Sequence, residues 1–97
     1  MKTDLSEGVK TLQTLADCLA TVGHPKRLEI IEYCLKSRSF TEIVTNLELN
    51  PASFKFHSQV LIDCGLIRRV ERGVYVTTEL GKLVFELVKQ ASAIAAT

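Results

Sequence analysis

Cys18, Cys34 and Cys64 are the only thiols in the 97-residue chain, and His24 and His57 its only imidazoles. Bound metal needs several convergent ligands, usually four for structural zinc. Three cysteines without a C-x-x-C pair and two isolated histidines do not supply that pattern. An odd, widely spaced set also fails to read as a disulfide framework, so the cysteines are expected to act as small buried hydrophobes in a reducing cytosol. His24 stands just before Pro25, where a turn or capping role is expected, and His57 is expected as a packed helix residue. Nucleophile elbows, P-loops, dinucleotide fingerprints and H-E-x-x-H are all missing, so no catalytic residue is assigned and the chain is read as a non-enzyme without cofactor.

Two other groups could do chemistry of a different kind. Ser53, Lys55, Phe56 and Gln59 share the outward side of one short segment. Ser and Lys bond phosphate oxygens, Gln pairs bidentately with adenine, and Phe packs on a thymine methyl. Arg68, Arg69 and Arg72 follow soon after, and guanidinium groups reach phosphate or a narrow minor groove. The plainer alternative for both is a solvated polar surface, with Phe56 tucked beside the hairpin that carries these arginines. Net charge is only +1, yet residues 51–78 set Lys55, Arg68, Arg69 and Arg72 against Asp63 and Glu71 alone. The positive excess therefore falls on the segment that carries the candidate contacts.

The elements that must position these residues follow from periodicity and punctuation. Leu5, Val9, Leu12, Leu15, Ala16 and Leu19 recur at helical spacing and predict a helix over 4–22. Gly23 stops it, and Pro25 opens a second helix reaching Lys36, with Leu28, Ile31 and Leu35 inward and Ile30 and Cys34 flanking. After a break at 37–40, Thr41 is expected to cap a two-turn helix ending near Glu48. Asn50 and Pro51 start a fourth helix, which runs to Asp63 and stops at Gly65. Segments 66–70 and 74–77 read as strands joined through Glu71, Arg72 and Gly73 into a hairpin. Thr78 caps a final helix to Ala95, whose apolar positions are Leu80, Leu83, Val84, Leu87, Val88, Ala91 and Ile94.

A short helix, a turn, a second helix and an immediate hairpin make the winged helix-turn-helix plan, with the fourth helix as reader and the hairpin as wing. The fold class is thus mostly α with a small antiparallel hairpin, and residues 1–97 are expected to form a single domain. No stretch reaches the length of a membrane span and no leader precedes the first helix, so a soluble cytoplasmic protein is expected.

The stretch from Val22 to Ile31, the segments Phe40 to Ile43 and Leu49 to Leu61 with Gly65 to Ile67, and the run from Gly73 to Gly81 together resemble the ArsR-type winged-helix regulators. The likeness covers about residues 15–88. It implies a transcriptional regulator that binds double-stranded DNA as a homodimer, joined through the first and last helices (about 4–22 and 78–95). The interface would include Leu5, Leu12, Leu80, Leu83, Val84, Leu87, Val88, Ala91 and Ile94. Metal sensing does not carry over, because residues 41–49 hold no Cys and residues 78–97 no His. Val44, Glu48 and Ser58 depart from the family's usual small residues and core Leu. Repression or activation, the operator and any effector are not encoded in these motifs. The competing reading is a winged-helix adaptor that binds another protein, for which modest charge and an exposed Phe56 would serve.

Overall fold

The computed structural model describes residues 16–96. Within them, five helices surround a three-stranded antiparallel sheet: α1 (described over 16–22), α2 (Pro25–Tyr33), β1 (Arg38–Ser39), α3 (Phe40–Asn46), α4 (Pro51–Asp63), β2 (Ile67–Glu71), β3 (Val74–Thr77) and α5 (Glu79–Ala95). Leu5, Leu12 and the rest of the expected first helix up to residue 15 lie outside the described residues. The sheet order is β1-β3-β2. β1 was expected as a break. It has no periodicity of its own and exists because Arg38 and Ser39 pair with Tyr75 and Val74.

Helix ends follow local chemistry. Asn50 caps α4 by accepting the Ala52 N–H, with Pro51 in the first turn, and Gly65 follows at φ 73°. α3 begins earlier than expected. Ser39, not Thr41, is its cap, because Ser39 and Glu42 form a reciprocal capping box that satisfies two otherwise orphaned donors. α3 ends at Asn46, and Glu48 takes up φ 54° in the turn before α4.

α2 is also rotated relative to expectation and shorter, ending at Tyr33. Ile30, Ile31 and Cys34 are fully buried, whereas Leu35 is 39% exposed and Leu28 only partly covered. The rotation follows from sealing α2 onto the sheet: Thr77 donates its backbone N–H to Cys34 O and its hydroxyl to Ile31 O, each at 2.8 Å. Those carbonyls close the last turn of α2, where no intrahelical partner remains. The core that results joins Val22, Ile30, Ile31, Ile43, Phe54, Leu61, Leu66, Ile67, Tyr75 and Val84 across every element of the domain except β1. No helix among the described residues is long and apolar enough to cross a membrane.

The cysteines depart most from the sequence reading. Cys18 and Cys64 form a disulfide with Cα atoms 5.7 Å apart, although 46 positions separate them in the chain. The pairing is tertiary in origin. α1 lies against the C-terminal end of α4, so its half-buried Cys18 meets the C-cap of that helix. Cys34 alone behaves as expected, a free buried thiol, and burial, only partly offset by Arg38, pushes its pKa up to about 12.

Candidate nucleic-acid interface

α4 owes its orientation to one buried stripe. Phe54, Ser58 and Leu61 face inward, and Phe54 meets Phe40 and Tyr75 edge-on at 5.6 and 5.3 Å between ring centroids. Ser58, where a larger apolar residue would be usual, turns its hydroxyl back to Lys55 O at 3.2 Å and so buries no unpaired donor. The C-terminal end of α4 is latched to the last helix: the Thr78 hydroxyl donates to Gly65 O at 2.6 Å while accepting the Gly81 N–H at 3.0 Å.

With that stripe buried, Ser53, Lys55, Phe56 and Gln59 are all exposed, Phe56 at 62%. Phe56 is therefore not tucked beside the hairpin. Its neighbours are the Arg27 guanidinium, 5.6 Å from the ring centroid, and the His57 ring at 5.9 Å. Gln59 donates from Nε2 to Asp63 Oδ1 at 2.8 Å and so lies along the helix toward its C-terminus. Reading a base edge requires it to exchange that partner.

The hairpin adds the second basic group. Arg68, Arg69 and Arg72 are exposed. Arg69 pairs with Tyr75 across the ladder and sets its guanidinium 5.7 Å from that ring, on the side of the sheet where Tyr75 meets Phe54 of α4. Strand alternation puts Arg68 on the opposite face. A bulge between Arg69 and Glu71 breaks the register ahead of the turn, where Gly73 adopts φ 72° beside Arg72. Lys55, Arg68 and Arg72 form no salt bridge with any described residue.

Two further basic residues near the start of α2, Lys26 and Arg27, are occupied within the protein. Lys26 Nζ donates to Leu47 O at the end of α3 and to Glu29. Arg27 donates to His57 Nδ1 at 3.0 Å and to Thr21 O at 3.1 Å. His24 caps α2 as expected, accepting the Lys26 N–H at Nδ1. His57 is half-buried, and its pKa is lowered first by burial, then by the Arg27 and His24 charges.

α5 carries a second exposed surface. Leu83, Leu87 and Ile94 are 57%, 52% and 74% exposed, and Leu80 and Ala91 are exposed as well. Val84 belongs instead to the chain's own core, and Val88 packs partly against it. Those two residues are thus engaged within the chain. An apolar cavity of about 180 Å³ opens beside Leu80, Leu83 and Leu87, lined also by Leu19, Leu66 and the disulfide.

A helix-turn-helix followed by a basic wing defines a DNA-binding regulator fold, and residues 27–96 match the winged helix-turn-helix family model. The chain belongs to the winged helix-turn-helix family. Its fold is shared with the homodimeric DNA-binding domain of Mb0332 from Mycobacterium bovis, described as a possible ArsR-family transcriptional regulator (TM-score 0.80, 20% identity, 96% of this chain and 91% of that one). It is also similar to reduced HlyU from Vibrio cholerae (0.68, 23%, 88% and 95%) and to the transcriptional repressor BigR from Xylella fastidiosa (0.67, 23%, 93% and 95%). No curated protein matches the chain in sequence.

Proposed function

We propose that this protein is a cytoplasmic transcriptional regulator that binds duplex DNA sequence-specifically as a homodimer, its single domain spanning residues 1–97. The observation that carries the reading is the exposed set Ser53, Lys55, Phe56 and Gln59 on α4, next to a wing that offers Arg69 and Arg72. Lys55, Ser53 and the wing arginines bond phosphate, while Gln59 and Phe56 read bases in the major groove. The outer face of α5, with Leu80, Leu83, Leu87, Ala91 and Ile94, pairs with a second copy, since contiguous apolar surface of this kind marks an interaction site. The homodimeric state of the Mb0332 domain supports that pairing.

Regulation by metal is not part of this reading. Among the described residues no group of three or more His, Cys, Asp or Glu could hold an ion. Both histidines already use Nδ1 as an acceptor within the protein, His24 for the Lys26 N–H and His57 for Arg27.

The test is a binding isotherm on a random-sequence duplex library at two salt concentrations, followed by selection of the tightest sequences. Affinity that falls steeply with salt, with an inverted repeat enriched, supports the proposal. Salt-independent or absent binding would favour the protein adaptor, for which the exposed Phe56 is the natural anchor.

A further inference from the structure

The Cys18 and Cys64 disulfide stands where three elements meet. Cys18 belongs to α1, Cys64 is the C-cap of α4, and the bond lines the same apolar cavity as Leu80, Leu83 and Leu87 of α5. Both cysteines are half-buried, so a small reagent can reach either sulfur. The remaining thiol, Cys34, is fully buried and held protonated, which keeps it out of exchange. Of the chain's cysteines, only this pair is placed for reversible chemistry.

We propose that Cys18 and Cys64 form a redox site that opens and closes by exchange with low-molecular-weight thiols and disulfides, and that its state sets how firmly the reading helix is held to the dimer face. The second half of this inference rests on the proposed dimeric, DNA-binding function; the first half does not. In the closing reaction, one cysteine thiolate attacks a sulfur of the small disulfide, forming a mixed disulfide and expelling one small thiolate. The other cysteine thiolate attacks the protein sulfur of that mixed disulfide and expels the second. Both cysteine sulfurs are oxidised, the small disulfide is reduced to two thiols, and the two cysteine protons pass to them.

The coupling is mechanical. Thr78 already joins the end of α4 to the start of α5, and closing the disulfide adds α1 to that block. In a dimer built on α1 and α5, the block fixes the separation of the two reading helices. Once the disulfide opens, among the described residues buried Val22 and the Arg27 bond to Thr21 O then hold the C-terminal end of α1. The oxidised form is therefore the better organised for two half-sites, and the tighter binder.

The wild-type protein is equilibrated across ratios of reduced to oxidised glutathione, quenched, alkylated and weighed. A duplex selected by the oxidised protein from a random library is then titrated with each form. Cys18 and Cys64 are expected to lose alkylation together over an intermediate range of ratios while Cys34 is unaffected, without covalent dimers. The oxidised form is expected to bind at least about fivefold more tightly, the lower end of ordinary coupling between sites. Cys18→Ser and Cys64→Ser should each bind like reduced wild type under both conditions. A pair closed at every ratio, open at every ratio, or linked between chains overturns the site, whatever happens with DNA. Reversible closure with a difference below fivefold overturns the coupling and leaves the DNA-binding function standing. Failure of both forms to bind any duplex removes that function and the coupling together, and the thiol titration still decides the site.

Discussion

Arg27 donates its Nε–H to Nδ1 of His57 over 3.0 Å, tying the start of α2 to the middle of α4. The bond requires a neutral imidazole, and burial together with the Arg27 and His24 charges lowers the His57 pKa. Below the unfolded histidine value, about 6.5, the unfolded chain takes up a proton that the folded chain refuses. This contribution to stability is thus complete above that pH and declines as pH falls from it toward the lowered folded pKa. Urea midpoints measured from pH 7.5 to 5 should decline with acid for wild type and decline less for His57→Gln.

Arg72 sits at the wing tip without a salt bridge to any described residue, so its loss should not affect folding. Arg72→Ala should weaken binding about equally on selected and random duplexes and reduce the slope of log affinity against log salt by about 0.9 per lost phosphate contact. Isotherms at several salt concentrations check this.

Gln59 presents a contrasting case because Asp63 holds its amide. If Gln59 reads a base, Gln59→Ala should remove roughly 1 to 3 kcal/mol of discrimination at one base pair of each half-site, with little change in salt slope. Asp63→Asn removes a negative charge from the same surface and should raise affinity on all sequences. Competition against single-base variants of a selected duplex separates the two effects.

On α5, an aspartate at Leu87 would place charge in the centre of the proposed interface. Leu87→Asp should sediment as a monomer at micromolar concentration where wild type sediments as a dimer, with helical content retained because Leu87 is 52% exposed in the single chain. A monomeric wild type would refute the interface.

Gly81 has no room for a side chain. A Cβ there would overlap Leu66 O and lie 2.6 Å from Thr77 Cγ2, so the backbone of α5 must shift in Gly81→Ala. A cost of about 1 to 3 kcal/mol is expected from overpacking, less the helix propensity gained. Reducing the disulfide should cost more, about 4 kcal/mol for a 46-residue separation in the chain-entropy model. Denaturant midpoints of the oxidised, reduced and Gly81→Ala proteins order the three.

Features punctuated by local chemistry were legible in the sequence. Asn50 with Pro51, Gly65, Gly73 and Thr78 each fix a turn or a cap through their own atoms, and the boundaries of α4, β3 and α5 follow. The start of α3 was open to misreading because Ser39 and Thr41 both suit a cap, although Glu42 three residues beyond Ser39 carries the signal that decides it. The rotation of α2, the existence of β1 and the cysteine pairing depend on distant partners: Thr77, Tyr75 and the approach of α1 to α4. Nothing near Leu35, Arg38 or Cys18 in sequence announces them. In the candidate site, the exposure of Lys55 and Phe56 follows from burial of Phe54 and Leu61, but the tether of Gln59 to Asp63 and the diversion of Arg27 to His57 required the tertiary structure.

The sheet order has a consequence for solubility. β3 is central, so β2 presents an edge whose unpaired backbone groups invite the strand of another molecule. Arg68, Arg69 and Glu71 line that edge, and the bulge between Arg69 and Glu71 breaks its regularity. The two strand arginines thus also act as gatekeepers against self-assembly. Replacing Arg68 and Arg69 together by Val would leave an uninterrupted apolar edge from Ile67 to Val70, and such a protein should form thioflavin-positive aggregates on storage while the single alanine variants stay clear.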